Sequence, residues 1–248
     1  MPSKPLAGKT IILTGSSVVQ SVVTMVEENG GHVKSFPLIE TVEKITEEDA
    51  HRLAQLHVYD WLIFTSQTAV NSFVAKCIRH GVAFTELSQK IAAVGEKTAE
   101  LLRNANLNVR FIPSIFSADV FVKEFQMEQG ERALFLRGSM AKSTIRDGTG
   151  ADEWTVYETR DCLKYLVELE QCLVSSAEPI VIFASPSAVD VYAQHIVPDL
   201  DWSFIKVASI GHVTTAKLAI YGVEPYVQPK TYTMQAVIEQ LILEETIK

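Results

Sequence analysis

Four short turns in this sequence place hydroxyl side chains where a strand hands over to a helix: FTSQTA (64–69), VGEKTA (94–99), FASPSA (183–188) and IGHVTT (210–215). In parallel α/β sheets ligands sit at the carboxyl ends of strands, where loops lead into helix starts. Free backbone N–H groups and the positive end of the helix dipole favour anions there. Ser66, Ser185, Thr98 and Thr214, with Gly95 and Gly211 heading the two Gly-x-x-Thr turns, are therefore candidates for holding an anionic ligand. Taken one at a time, each hydroxyl reads first as an ordinary helix N-cap. Four such turns in matched pairs argue for a shared cleft. The remaining chemical candidate is Tyr157, in the extended segment TVYET (155–159). A tyrosine in a strand usually packs. Its counterpart Ile39 in PLIET (37–41) is apolar, however, and a phenol is a plausible proton donor to a leaving hydroxide.

Other constellations are missing. The six histidines show no HxxxH or HExxH spacing, so a zinc hydrolase is not expected, and no metal ligand set is proposed. There is no GxSxG elbow, no GxxxxGK[ST] loop and no GxGxxG after a strand. His212 follows the turn glycine Gly211 and reads as a surface residue. Any chemistry falls to hydroxyls, backbone amides and a few charged side chains, with no cofactor.

The elements that must position these groups alternate. Expected strands are TIILT (10–14), HVKSFPLI (32–39), WLIFTS (61–66), KIAAVG (90–95), NVRFIP (108–113), ALFLRG (133–138), EWTVYET (153–159), PIVIFAS (179–185), KVASIG (206–211) and EPYVQP (224–229). Most of the segments between them have helical periodicity, as in Ala69, Phe73, Val74 and Cys77. This pattern implies βαβ crossovers and parallel sheets flanked by helices.

An internal repeat sets the architecture. Gly95 and Gly211 are 116 residues apart, as are Thr98 and Thr214, Pro113 and Pro229, and Ser117 and Thr233. IFTSQTAVNSF (63–73) returns as IFASPSAVDVY (182–192) at an offset of 119, ILTGSS (12–17) echoes FLRGSM (135–140), and PLIET echoes TVYET. Two homologous α/β lobes follow. Their wiring has two solutions. PLIETVE and TVYETRD could be antiparallel linkers with the middle of the chain inserted between the termini, or the halves could be sequential with a break near Gly130.

Composition fits an ordinary globular protein, with 47% apolar and 21% charged residues over 248 positions. A net charge of −8 argues against a nucleic-acid partner but leaves room for a locally positive pocket. Cys77, Cys162 and Cys172 have no CxxC spacing and read as thiols in a reducing cytosol. MPSKPLAGKTIILTG has no long apolar run, so neither a signal peptide nor a membrane partner is expected, and the location reads as cytoplasmic.

Taken in order, FTSQTAV, AAVGEKTAELL, FLRGSMA, TVYET, FASPSAV and SIGHVTTAKLAIYGVEP with YTMQAVIEQL resemble the uroporphyrinogen-III synthase family over essentially the whole chain. The resemblance implies an α/β fold of two similar lobes, each a parallel sheet flanked by helices, joined by a two-stranded β-ladder. The lobes would be residues 1–38 with 163–248, and 42–155, linked by strands at 36–43 and 155–163. It implies a cyclising hydro-lyase that closes linear hydroxymethylbilane, a polycarboxylate tetrapyrrole, to uroporphyrinogen III with loss of water and inversion of the last ring in haem biosynthesis. Such enzymes are typically monomeric and need no cofactor. Carried over by position, Tyr157 would be the assisting acid. Thr98, Thr214, Ser66, Ser185, Arg137, Ser139, Gly95 and Gly211 would contact substrate. Two positions depart from the family's pattern: Gly15 stands where an arginine is usual, and His212 where proline is common. The competing reading is a non-catalytic two-lobed module that binds a tetrapyrrole or another anion. A generic phospho-ligand protein ranks below both, for want of a phosphate loop.

Overall fold

The computed structural model describes residues 4–16 and 18–247. The chain divides into two compact units, Met1–Glu40 with Arg160–Lys248, and Thr41–Thr159. From the N-terminus the elements are β1 (Lys9–Leu13), α1 (Gln20–Glu28), β2 (His32–Ser35), β3 (Ile39–Glu43), α2 (Asp49–Ala54), β4 (Trp61–Phe64) and α3 (Gln67–Arg79). Then follow β5 (Lys90–Ala93), α4 (Glu96–Asn104), β6 (Val109–Phe111), α5 (Ala118–Glu124), β7 (Ala133–Gly138), α6 (Thr144–Thr149) and β8 (Asp152–Asp161). The chain closes with α7 (Leu166–Ser175), β9 (Glu178–Phe183), α8 (Pro186–His195), β10 (Lys206–Ser209), α9 (His212–Ile220) and α10 (Met234–Thr246).

One sheet has the order β10-β9-β1-β2 and the other β3-β8-β7-β4-β5-β6. The neighbours β1–β2, β1–β9, β9–β10, β4–β5, β4–β7, β5–β6 and β7–β8 all pair in parallel, as the alternating βα pattern requires. β3 and β8 pair the other way. The Lys44 N–H donates to the Val156 carbonyl at 2.9 Å and the Cys162 N–H to that of Leu38 at 2.9 Å, so partner numbers run in opposite senses. Both passages of the chain between units fall inside these two strands.

Strands read as continuous apolar runs because both faces are covered. In WLIF, Leu62 and Phe64 enter one core with Phe73, Leu136 and Trp154, while Trp61 and Ile63 enter another with Phe121, Phe125 and Phe135. In the other unit Val181 and Phe183 pack on Tyr192 and Leu218, while Ile180 and Ile182 pack on Val22, Ile238 and Leu241.

The repeat is visible in strand register. Phe64 pairs with Ala93 as Phe183 pairs with Ser209, and Ala92 pairs with Phe111 as Ala208 bridges Val227. Several expected strands are shorter than their apolar runs, and two depart further. HVKSFPLI breaks at Pro37, which has no N–H to give, so β2 stops at Ser35 and β3 starts at Ile39. EPYVQP shrinks to one parallel bridge, supported by the Ser209 N–H on Val227 O at 2.9 Å and the Tyr226 N–H on Val207 O at 2.7 Å. Pro225 stands where β6 has Val109, and removes a donor that a ladder would need.

Candidate functional site

In the unit Thr41–Thr159, four strands end side by side in the order β8, β7, β4, β5, and helices start from two of them. Ser66 holds the first turn of α3: its backbone is extended and its Oγ accepts the Ala69 N–H at 3.1 Å. The same hydroxyl donates to Tyr157 Oη at 3.3 Å. Tyr157, near the end of β8, pairs with Gly138, the last residue of β7. Its carbonyl accepts the Ser139 N–H at 3.0 Å, and Ser139 Oγ accepts the Thr159 N–H at 3.2 Å. The expected Ser66, Tyr157 and Ser139 therefore come together on one edge.

Gly138 also belongs to this group. A Cβ built on it would lie 2.3 Å from Tyr157 Cζ, so the phenol ring occupies the volume a side chain would need. Arg137 does not offer a free cation. It pairs with Glu153, donates to the carbonyls of Gly138 and Ala141, and lies 6.0 Å from the Phe135 ring centroid. Its work is to hold the turn that follows β7. Next to this edge, Gly95 caps α4 with extended backbone, and Thr98 is buried in the first turn with its N–H on the Gly95 carbonyl at 3.1 Å. Phe116, 61% exposed, lies beside Gly95.

In the unit formed by both chain ends, Ser185 caps α8 through the Ala188 N–H at 3.3 Å. Gly211 leads into α9 with fully extended backbone, and a Cβ there would lie 2.7 Å from the Tyr232 ring. Thr214 is buried in that first turn, as Thr98 is in its own. His212 is exposed, its ring centroid 5.1 Å from that of Tyr232. Between the ends of β1 and β9 lies a cavity of about 290 Å³, lined by Gly15, Ser16, Ile39, Ala184, Ser185 and Met234 among others. Thr14 turns away from it and donates to the Ile182 carbonyl at 2.8 Å. A larger cavity, about 650 Å³, lies on the opposite edge of the six-stranded sheet, by the start of β5 and β6. No α-helix begins there, and it lies away from every candidate residue.

Sequence reasoning missed Gly138, Phe116 and Tyr232. Phe116 and Tyr232 are 116 residues apart, just before the echoed Ser117 and Thr233, so the repeat held the signal. Gly138 had only its echo, Gly15, and nothing in the sequence marks a ring above it. Among the described residues, no group of three or more His, Cys, Asp or Glu is placed to hold a metal ion, and no helix is long and apolar enough to cross a membrane.

Residues 20–239 match the family model described as uroporphyrinogen-III synthase HemD. The chain belongs to the uroporphyrinogen-III synthase family. It is 26% identical over 261 aligned residues to a uroporphyrinogen-III synthase of Synechococcus elongatus, covering 96% of each chain. Among solved structures it is similar to uroporphyrinogen-III synthetase of Helicobacter pylori, with TM-score 0.68, 19% identity, and 97% and 100% of the two chains covered. It is also similar to a uroporphyrinogen III synthase from Thermus thermophilus, with TM-score 0.61, 15% identity, and 95% and 99% covered. At those identities the structures speak for the fold, and the family's helix-flanked parallel sheets are the architecture found here.

Proposed function

We infer that this protein carries out the family's reaction, closing the linear tetrapyrrole hydroxymethylbilane to uroporphyrinogen III with loss of water and inversion of the last ring. The observation that carries this reading, in a chain of this family, is the seated phenol of Tyr157 at a sheet edge where helices begin. The hydroxymethyl C–O bond breaks as Tyr157 gives its proton to the departing oxygen, which leaves as water. The carbon so exposed is attacked by the α-carbon of the last ring that already carries the bridge to its neighbour. That bridge bond then breaks and re-forms at the ring's free α-carbon, which inverts the ring. The proton lost as that pyrrole regains aromaticity restores the phenol, so protons balance over the cycle. Pyrroles supply the nucleophile themselves, and the protein's larger task is to fold the chain so that the inverted ring attacks.

Each unit, by itself, presents groups suited to a polycarboxylate. Substrate carboxylates are suited to the N–H groups at the starts of α3 and α4, with Ser139 close by, in one unit, and at the starts of α8 and α9 in the other. Thr98 and Thr214 act from inside those turns, keeping them in shape. Gly95 and Gly211 keep side chains off the turn backbone, and the exposed Phe116 and Tyr232 offer flat faces to pyrrole rings. The cavity beside Ser185 and Ile39 takes an apolar edge of the substrate. The protein works as a monomer in the cytoplasm without a cofactor. Supplying hydroxymethylbilane and separating the uroporphyrinogen isomers tests this: the III isomer is expected. The I isomer alone, which forms without an enzyme, would leave a binding module in place of the synthase.

A further inference from the structure

We propose that Gly138 and Ser66 are positioning residues that seat Tyr157 and aim its hydroxyl hydrogen outward. This rests on the reading of Tyr157 as proton donor.

Two observations carry it. The first is steric. Gly138 lies in β7 and has no positive φ, so backbone conformation does not demand glycine there. The ring does: a Cβ would meet Tyr157 Cζ at 2.3 Å, Cε2 at 2.6 Å and Oη at 2.7 Å. All three are closer than carbon atoms tolerate, and the side chain is the part able to move, so any larger residue displaces the phenol. At the repeat counterpart Gly15 a Cβ would meet only Ala184 Cβ at 3.5 Å, an ordinary contact. The tight fit in one unit therefore belongs to the tyrosine and not to the repeat.

The second is directional. A serine hydroxyl has one hydrogen to give. Ser66 accepts the Ala69 N–H and spends its own hydrogen on Tyr157 Oη. The phenol's hydrogen is thereby left free to donate elsewhere, and donors in series polarise one another in that direction. Ser185 caps α8 in the same way, but the position matching Tyr157 there is Ile39, so capping by itself requires no phenol. Ser66 thus acts on the reaction through Tyr157 and does not grip a substrate carboxylate.

The test is a set of double-mutant cycles on kcat and KM, with thermal melting as a folding control. Gly138→Ala is expected to lower kcat to within about three-fold of Tyr157→Phe, with KM changed less than about two-fold. Ser66→Ala costs less, about three- to ten-fold in kcat, and Ser66→Thr restores most of it. In a Tyr157→Phe background neither change lowers kcat much further, because the group they position is gone. Losses that multiply in that background, or a rise in KM with kcat intact, would overturn the proposal. If Gly138→Ala does not fold, the Ser66 cycle alone decides in the same way. The seat also has a readout independent of turnover, the ring-current shift of the Gly138 α protons in NMR. The shift is expected in the wild type and lost in Tyr157→Leu, and its absence from the wild type refutes the seat. If the shift is present while Tyr157→Phe keeps full turnover, the donor role has failed and the seat stands as geometry only.

Discussion

At the end of β7, Gly138 lies under the ring of Tyr157; at the end of β1, its repeat counterpart Gly15 borders a cavity of about 290 Å³ closed on one side by Ile39. Around both glycines the scaffold is the same. A serine caps the helix that follows the neighbouring strand, Ser66 in one unit and Ser185 in the other. A Gly-x-x-Thr turn comes next, and then an exposed aromatic, Phe116 or Tyr232. One exchange, Tyr157 for Ile39, separates an edge with a filled, hydrogen-bonded notch from an edge with an open apolar one. On the proposed function, a duplicated fold has kept helix starts suited to anions in both copies and put a phenol in one.

The copies also differ in how they are pinned, and this gives the largest expected effect. Lys76 of α3 is fully buried, bonded to Asp49 at 2.5 Å and to the Lys44 carbonyl, with its ammonium 5.7 Å from the Trp154 ring. Burial works to raise the Asp49 carboxyl, but hydrogen bonds from Lys76 and Thr46 override it and hold it below the usual range. Lys76→Met should cost about 3–5 kcal/mol, because it strands a buried carboxylate. The matching position in the other copy is the half-buried His195, where the same change should cost no more than about 0.5 kcal/mol by denaturant titration. Equal costs would show that the pin is not particular to one copy.

Next in size is Tyr157→Phe, expected to lower kcat about 10- to 100-fold without moving the melting point, at or below the lower end of what a positioned acid contributes. The loss is partial because orientation of the substrate survives it. Unchanged turnover would erase the functional difference between the copies.

Acid should then act on the terminal unit through its own ion cluster. Glu245 joins Lys9 at 3.1 Å and Lys206 at 3.0 Å at the amino ends of β1 and β10. Burial pushes this carboxyl up, yet hydrogen bonds from Lys206, Lys9 and Tyr226 win and hold it at about 2. A depressed carboxylate stabilises the fold above its unfolded value near 4.5 and loses that contribution as pH falls toward 2. Melting temperatures should therefore drop across that window, and Glu245→Gln should flatten the drop. An unaltered slope would assign acid sensitivity to other groups.

The smallest effect concerns Tyr192, whose buried hydroxyl has no hydrogen-bond partner and whose ionisation burial pushes upward. Tyr192→Phe should leave stability unchanged or raise it by about 1 kcal/mol, since it removes a desolvated polar atom. A loss of that size would mean the hydroxyl is satisfied after all.

Much of this architecture is legible in the chain itself. Apolar strand runs, helical spacing and the offsets of 116 and 119 residues correspond to the parallel ladders and their matched registers. Local prolines account for the departures at Pro37 and Pro225. The site was legible only in part. Ser66 and Tyr157 were within reach because hydroxyls at strand ends have few roles. Their mutual hydrogen bond was not, because it depends on which way two side chains turn across 91 residues of sequence. Arg137, a substrate contact by resemblance, has Glu153 beside it, and nothing in the sequence marks Lys76 as the residue that α3 packs over Asp49. Gly138 is the hardest of these, since a glycine at a strand end carries no mark of the ring above it.

The division of labour proposed for the two edges is most directly tested by measuring kcat and KM side by side for Tyr157→Phe and for Ala184→Leu, which fills the open notch. The predicted result is a split, with kcat falling in the first and KM rising in the second. Both variants failing in the same parameter would contradict it.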